Sequence, residues 1–409
     1  ERVSAEKPRL ALLADRIARP FLITVLFAAA ASAAFLWQED HGRALMAAVA
    51  VLIVTCPCAL SLATPAAMLT VSGALAKSGV LVRKMQALEA LTTIDTVVFD
   101  KTGTLTHDRM EIGKISTAAH LSQSTVLAVA SQMAQHSLHP VSRALVRANQ
   151  SRLADDAQCE VSNVQEISGF GLMADASLGK LKLGSAKFCE IANEVLQNAQ
   201  QVRESERGSL VYLVADKVWL ASFEVIEAVK EDATSAVSAL QRSGLAVEVL
   251  SGDKLQSVTR IANMVGISQV SGGCTPQEKL QRLQFLQQQG HQVAMVGDGL
   301  NDGPVLAAAH VSIAMGQAVP LAQSQSDFVI MSGELNRVPH LMLQAKRTMR
   351  IVKQNLIWAA VYNATCVPLA VAGMLPAWLA GLGMALSSLL VVLNAARLAN
   401  ATKLITPTL

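Results

Sequence analysis

The chain has 409 residues, 52% of them hydrophobic and 16% charged. Soluble domains average about 25% charged residues, which excludes a disordered or highly solvated protein, and the length suits two or three domains. A net charge of +3 with 4% aromatic residues supplies neither the basic field nor the stacking surface of a nucleic-acid binder.

The charges are unevenly placed. No Asp, Glu, Lys or Arg occurs from Pro20 to Gln38, from Ala44 to Ala76, or from Gln354 to Ala396. About 20 apolar residues cross a bilayer. The first run predicts one span. The second is long enough to cross and continue as a stalk. The third, interrupted by Gly373, Pro376, Gly381 and Gly383, predicts two helices and a tight turn. Four spans follow, with the lipid bilayer as partner. Lys and Arg collect before the first span, after the second and on both sides of the last pair, which places the termini and the central segment in the cytoplasm. The chain starts on Glu1 without a secretory signal pattern, and is expected to belong to something longer. Six scattered cysteines give no disulfide framework and fit a reducing compartment.

In the middle, Thr96-Val97-Val98-Phe99 predicts a strand ending on Asp100. From about Glu227 helices and strands alternate. A helix carrying Val229, Ala233, Ala236 and Leu240 precedes a strand Ala246 to Leu250. A helix Leu255 to Val265, a strand Gln292 to Val296, a helix after Asn301 and a strand Val311 to Met315 follow. Such alternation predicts a parallel sheet covered by helices, with its ligand at the carboxyl ends of the strands.

Those ends carry Asp100, Ser251-Gly252-Asp253, and Gly297-Asp298-Gly299 followed by Asn301 and Asp302; Lys279 lies just inside a helix start. Asp and Gly often end strands without further meaning, but three such ends on one sheet beside a lysine point to a phosphate and Mg²⁺ site. A carboxylate at Asp100 can attack a phosphoryl group and form an aspartyl phosphate. Mg²⁺ takes carboxylate and phosphate oxygens, which suits Asp298 and Asp100. Lys279 would offset phosphoryl charge, and the hydroxyls of Thr102 and Ser251 can donate to it. Because Thr102 is not a carboxylate, unaided hydrolysis of the phosphoenzyme is expected to be slow.

Residues 113–225 interrupt this pattern as a separable insert. Leu210 to Val214 and Val218 to Phe223 flank Asp216-Lys217, a hairpin. The insert also holds Ser137-Leu138-His139-Pro140 and Gly169-Phe170-Gly171. Each is weak alone; together they suggest an adenine pocket, with His139 stacking and the glycines allowing close approach.

Cys56-Pro57-Cys58 lies inside the second predicted span. Proline breaks the helical ladder, and broken helices at membrane depth line sites. Two inert buried cysteines beside a kink are the alternative. Thiolates select soft ions such as Cu(I). Between Gln354 and Ala396 the polar or soft residues include Tyr362, Asn363, Cys366, Met384, Ser387 and Ser388, with no carboxylate or lysine, which suits a monovalent ion. Cys366 is expected to pack rather than ligate.

Asp100-Lys101-Thr102-Gly103-Thr104, Gly297-Asp298-Gly299-Leu300-Asn301-Asp302 and Cys56-Pro57-Cys58 resemble the heavy-metal-transporting P-type ATPases. Tyr362-Asn363 and Met384-Ala385-Leu386-Ser387-Ser388 resemble the copper(I) branch, and the motif surroundings resemble its cytochrome-oxidase-assembly subgroup. The resemblance implies a multidomain membrane protein: four transmembrane helices, an α/β haloacid-dehalogenase-like phosphorylation domain and an inserted α+β nucleotide-binding domain. Its parts would be residues 1–76, two helices with a stalk; 77–112 and 226–345, the phosphorylation domain; 113–225, the nucleotide domain; and 346–409, two helices and a tail.

The implied activity is ATP-driven export of Cu⁺, or Ag⁺, across a bacterial inner membrane, with a copper chaperone or acceptor as protein partner. Asp100 would be phosphorylated, assisted by Lys101, Thr102, Thr104, Ser251, Gly252, Asp253 and Lys279. Mg²⁺ would sit on Asp100, Asp298 and Asp302. ATP would meet His139, Gly169 and Gly171, and Cu⁺ would meet Cys56, Cys58, Tyr362, Asn363, Met384 and Ser387. Leu138 stands where the family usually has an acidic residue, and Ser251 where Thr is commoner. No Thr-Gly-Glu occurs, so the family's actuator domain is expected to be missing, and the chain is expected to phosphorylate without completing transport cycles. The alternatives are a pump for Zn²⁺, Cd²⁺ or another cation, and a copper-binding membrane protein that does not turn over.

Overall fold

The structure is a computed structural model and describes residues 9–38, 40–55, 58–119, 121–150, 161–167, 170–191, 209–298, 303–316 and 320–400. In chain order the described strands are β1 (Val80–Val82), β2 (Thr96–Asp100), β3 (Thr106–Thr117), β4 (Val161–Ile167), β5 (Gly171–Ala176), β6 (Gly179–Gly184), β7 (Ser209–Ala215), β8 (Val218–Val229), β9 (Ala246–Leu250), β10 (Gln269–Ser271), β11 (Val293–Gly297), β12 (Val311–Met315) and β13 (Phe328–Ile330). The chain divides into two compact units, Glu1–Val98 with Ser238–Ala246 and Leu280–Leu409, and Phe99–Val237 with Val247–Lys279.

The first unit holds a helical bundle: Arg9–Leu36, His41–Val54, Cys58–Lys77, Arg337–Val371 and Ala377–Ala396. Small residues fill its interior. Ala29, Ala50, Val51, Val54, Ala370, Ala377 and Ala380 form one cluster, with Cys366 packed against it. Large apolar residues point outward, Phe27, Phe35 and Trp378 among them at 70–80% exposure. This inverts the distribution of a soluble protein and matches helices packed through small residues in lipid. Among the described residues one helix, Ala377–Ala399, is long and apolar enough to cross a membrane; Ile23–Leu36 and His41–Val54 are shorter apolar helices. The expected turn in the third charge-free run is present. Helix Arg337–Val371 ends at Ala372, Gly373 takes a left-handed φ of 67°, and Pro376 caps the next helix.

The same unit contains fully buried parallel strands β11, β12 and β13. At the edge β1 pairs antiparallel with β13, so this part is mixed rather than purely parallel as expected. Asp95, just before β2, is anchored by the backbone N–H of Gln292 at 3.0 Å, and its own carbonyl accepts from Ala246.

In the second unit β3, β8, β7, β6, β5 and β4 form an antiparallel sheet in that order. Helices Gln123–Ala134 and Pro140–Gln150 bury Leu127, Met133 and Leu145 with Leu172, Leu181, Leu213 and Phe223 from the sheet. The Asp216-Lys217 hairpin is present, both residues at positive φ (46° and 69°). Val229, expected on a helix, ends strand β8; the helix starts at Ala233. A β-branched residue after the run Val218 to Ala228 extends the strand. The sheet therefore begins at Thr106 and ends at Val229, reaching beyond residues 113–225 on both sides. β9 and β10 pair in parallel in this unit.

Candidate active site

The apolar, fully buried run of β2 delivers Asp100 at its carboxyl end, 5% exposed. Residues Lys101–Leu105 then fold into one tight turn, closed by the N–H of Thr106 on the carbonyl of Lys101. Thr102 is extended and Gly103 left-handed (φ 69°), a conformation glycine adopts without steric cost. The turn leaves Thr102 exposed and buries Lys101 and Thr104. Among the described residues the Thr104 hydroxyl has no hydrogen-bond partner. An orphaned buried hydroxyl costs about 1–3 kcal/mol, so the turn holds a polar group suited to an incoming oxygen.

Lys279 is placed by a reciprocal cap at the start of helix Pro276–Gln288. The backbone N–H of Thr275 donates to Glu278 Oε2 at 2.8 Å, and that of Glu278 to Thr275 Oγ1 at 3.2 Å, the capping-box arrangement. The Thr275 N–H bond holds the Glu278 carboxyl below its usual range. One residue on, Lys279 Nζ donates to Asp100 Oδ1 at 2.7 Å, with both side chains buried. Lys101, wholly buried, sets its ammonium against Glu227 and Asp253. Among these contacts carboxylates and ammonium groups alternate. An entering phosphoryl group would add negative charge, and a divalent cation would offset it.

Ser251 is buried, and its Oγ accepts from the N–H of Asp253 at 3.2 Å. The loop Ser251–Asp253 is held from the other side: Cys274 N–H donates to Ser251 O at 3.0 Å and Gly273 N–H to Asp253 O. A Cβ at Gly272 would stand 2.6 Å from Leu255 Cα, so glycine is needed for this approach. The structure thus pairs Asp100 with Lys279 and Lys101 with Asp253, and anchors Ser251 and Gly252 beside Asp253 in sequence. Asp298 lies just past β11 in the first unit, half-buried. Asp302 falls outside the described residues.

On the insert, Ser137 Oγ donates to Glu166 Oε1 at 3.0 Å, tying the Ser137–His139 loop to β4. His139 is exposed, and its Nδ1 accepts from Val141 N–H at 3.3 Å. Gly169 lies outside the described residues. A Cβ on Gly171 would stand 2.3 Å from Leu183 O and 3.0 Å from Gly184 Cα, so this glycine serves the pairing of β5 with β6. Phe170 is 56% exposed between the two glycines.

In the bundle, Cys56 and Pro57 lie outside the described residues, as does the side chain of Cys58, which opens helix Cys58–Lys77. Ser387 is buried and accepts from the Trp358 indole N–H at 3.1 Å. Tyr362 Oη donates to Ala380 O at 3.5 Å, and a Cβ on Gly383 would stand 2.9 Å from Tyr362 Oη. Asn363 and Met384 are half-buried.

Sequence reasoning missed Glu227, Thr275 and Glu278. The signals were there: Glu227 is a carboxylate inside the strand run Val225 to Val229, and Thr275-Pro276-Gln277-Glu278 is a helix-start signature.

A haloacid dehalogenase-like hydrolase family model matches residues 94–310. The chain is 38% identical over 403 residues to the "Copper-exporting P-type ATPase" of Mycobacterium tuberculosis (strain ATCC 25618 / H37Rv), covering 97% of this chain and 52% of that protein. It is 36% identical over 408 residues to the "Cation-transporting P-type ATPase B" of Mycobacterium leprae (strain TN), covering 98% and 53%. The chain spans about half the length of these relatives. It is also similar to the crystal structure of a zinc-transporting PIB-type ATPase in the E2.Pi state, with a TM-score of 0.81 at 27% identity, over 96% of this chain and 66% of that one. The chain belongs to the haloacid dehalogenase-like hydrolase family, and its homologues there are the heavy-metal P-type ATPases.

Proposed function

We propose that the chain carries the phosphorylation and nucleotide-binding parts, and four membrane-spanning helices, of a pump that exports Cu⁺ from the cytoplasm at the expense of ATP. The observation that carries this reading is the buried Asp100 carboxylate, bonded to Lys279 at 2.7 Å at the end of β2. Asp100 attacks the γ-phosphorus of ATP, the bond to the β-phosphate oxygen breaks, and ADP leaves with an acyl phosphate on Asp100. The Lys279 ammonium turns from the carboxylate to the phosphoryl oxygens, and the Thr104 hydroxyl donates to the same group. Lys101, locked by Glu227 and Asp253, fixes the turn and contributes charge beside it. Mg²⁺, which takes carboxylate and phosphate oxygens, would be held through Asp100, Asp298 and Asp302 and would neutralise phosphate charge. The loop of His139 and the segment around Phe170 would receive the adenine.

The Cys56-Pro57-Cys58 break and a last helix pair free of carboxylates favour a soft monovalent ion. Tyr362, Asn363, Met384 and Ser387 complete the proposed surroundings of that ion, and a copper chaperone or acceptor would exchange it. The setting is a bacterial inner membrane. The inside-out packing of the bundle, with alanines within and large apolar residues outside, supports the spans. The second reading is Zn²⁺, favoured by the similarity to a zinc-transporting structure.

The test is acid-stable label from [γ-³²P]ATP on the full chain in lipid, with Cu⁺, Zn²⁺ or chelator, and with Cys56→Ser/Cys58→Ser. Label that rises with Cu⁺ and loses this response in the double variant supports Cu⁺. Label that rises with Zn²⁺ alone overturns the assignment of the ion.

A further inference from the structure

The last stretch of the chain carries an unbalanced charge. After Glu334 no Asp or Glu occurs, while Lys346, Arg347, Arg350, Lys353 and Arg397 all precede or follow the two apolar helices. On helix Arg337–Val371 the exposed face reads Lys346, Arg350, Lys353 and then, one turn on, Ile357 and Val361; the opposite face, with Thr348, Ile351, Val352 and Asn355, is buried. The outward stripe thus changes from cationic to apolar within a single turn.

The end of the next helix joins this cluster. Arg347 Nη2 donates to the carbonyl of Arg397 at 3.3 Å, and Arg397 Nη1 to Asn394 Oδ1 at 2.9 Å. Asn394 in turn donates to Asn355 Oδ1 at 2.8 Å, and Asn355 to Val391 O at 3.3 Å. These neutral acceptors hold the middle of one helix to the end of the other without cancelling their charge. Among the described residues none of the five cations has a carboxylate within ion-pair distance.

We infer that the basic cluster where the middle of helix Arg337–Val371 meets the end of the next helix binds the headgroup of an anionic phospholipid, with Arg347, Arg350, Lys353 and Arg397 around the phosphate and Ile357, Trp358 and Val361 along the acyl chains. A free phosphate would use the cations but not the apolar stripe one turn away. Basic clusters between helix ends at the cytoplasmic surface suit such headgroups, each cation contributing about fivefold in affinity. The inference rests on the reading that this helix pair spans the membrane.

The experiment uses the full chain in neutral detergent, with phosphatidylglycerol or phosphatidylcholine added and bound lipid counted by native mass spectrometry. Phosphatidylglycerol is expected to bind at least about tenfold more tightly, and Arg350→Gln/Lys353→Gln to weaken it on the order of 25-fold. Both substituted side chains are exposed and outside the hydrogen-bonded clamp, so the variant should fold. Equal retention of the two lipids, or a variant that binds like the parent, overturns the inference. So does equal weakening by Arg143→Gln/Lys187→Gln on the insert, which would show a net-charge effect. Competition by glycerol 3-phosphate at matched concentration would replace the lipid with a free phosphate and also overturns it. Phase partition in Triton X-114 separates the two readings: a chain that stays in the aqueous phase removes the membrane reading itself, whereas a chain that enters the detergent and ignores headgroups removes only the lipid site.

Discussion

The turn after β2 and the helix pair Arg337–Val371 and Ala377–Ala396 both set polar groups in apolar surroundings, and they use those groups in opposite ways. Around the turn the groups are charged and drawn from distant parts of the chain: Asp100 meets Lys279, and Lys101 meets Glu227 and Asp253. In the helix pair the groups are neutral and bond to one another or to backbone, as Ser387 does with Trp358 and Asn355 with the carbonyl of Val391. Strand-end loops gather side chains from anywhere in the sequence onto one edge. Two helices packed along their lengths offer one another only the groups on their facing sides, so their polar groups satisfy each other across the interface. Charge held ready in a low-dielectric site is what phosphoryl transfer needs. Neutral bonds across a helix pair are what packing in lipid needs.

The largest effect is expected at Lys279. Lys279→Gln strips the partner from a buried carboxylate, which costs about 3–5 kcal/mol and slows phosphorylation by roughly 10²–10³-fold. Urea unfolding of the Asp100→Asn/Lys279→Gln double variant should recover part of that stability. Full additivity of the two losses would show that the pair is not coupled. Lys101→Met comes next, at about 1–3 kcal/mol, because Glu227 and Asp253 keep some contact with water. Adding Glu227→Gln should relieve it.

Gly171→Ala separates packing from ligand approach on the insert. A Cβ 2.3 Å from Leu183 O forces β5 from β6 and should cost about 1–3 kcal/mol in thermal unfolding. An unchanged Tm with weakened nucleotide binding would instead assign that glycine to the ligand. In the helix pair Ser387→Ala removes one interhelical bond, worth about 0.6 kcal/mol, and should shift the Trp358 emission more than the stability. The smallest effect is one of pH. Glu190, between Lys182 and Lys217, is held at about 2 against an ordinary 4.5, chiefly by the hydrogen bond from Lys182. A depressed carboxyl contributes stability above its unfolded value and loses it as pH falls from 4.5 towards 2. Glu190→Gln should therefore flatten acid unfolding in that window, lowering stability slightly at neutral pH and leaving it unchanged near pH 2.

How much of this was legible in the sequence depended on range. The strand before Asp100, the helix Leu255–Val265 and the hairpin at Asp216-Lys217 follow from local periodicity and turn chemistry, and each sits where those signals put it. The antiparallel edge made by β1 and the continuation of β8 to Val229 did not, because pairing partners far along the chain decide them. In the site, Asp100 and Lys279 stood out as charged residues at element ends. Glu227 did not, since a single carboxylate in a strand acquires meaning only when Lys101 is brought against it. Ser387 and Tyr362 were legible as polar groups among apolar ones, but their spacing did not disclose the Trp358 and Ala380 partners.

Phosphorylation of Asp100 by ATP is the step on which the proposed pump depends. The direct measurement is label from [γ-³²P]ATP in the full chain and in Asp100→Asn, followed by hydroxylamine, which cleaves acyl phosphates. Label that is stable to acid, lost with hydroxylamine and absent from Asp100→Asn is the expected result. Label that persists in Asp100→Asn, or that resists hydroxylamine, would contradict it.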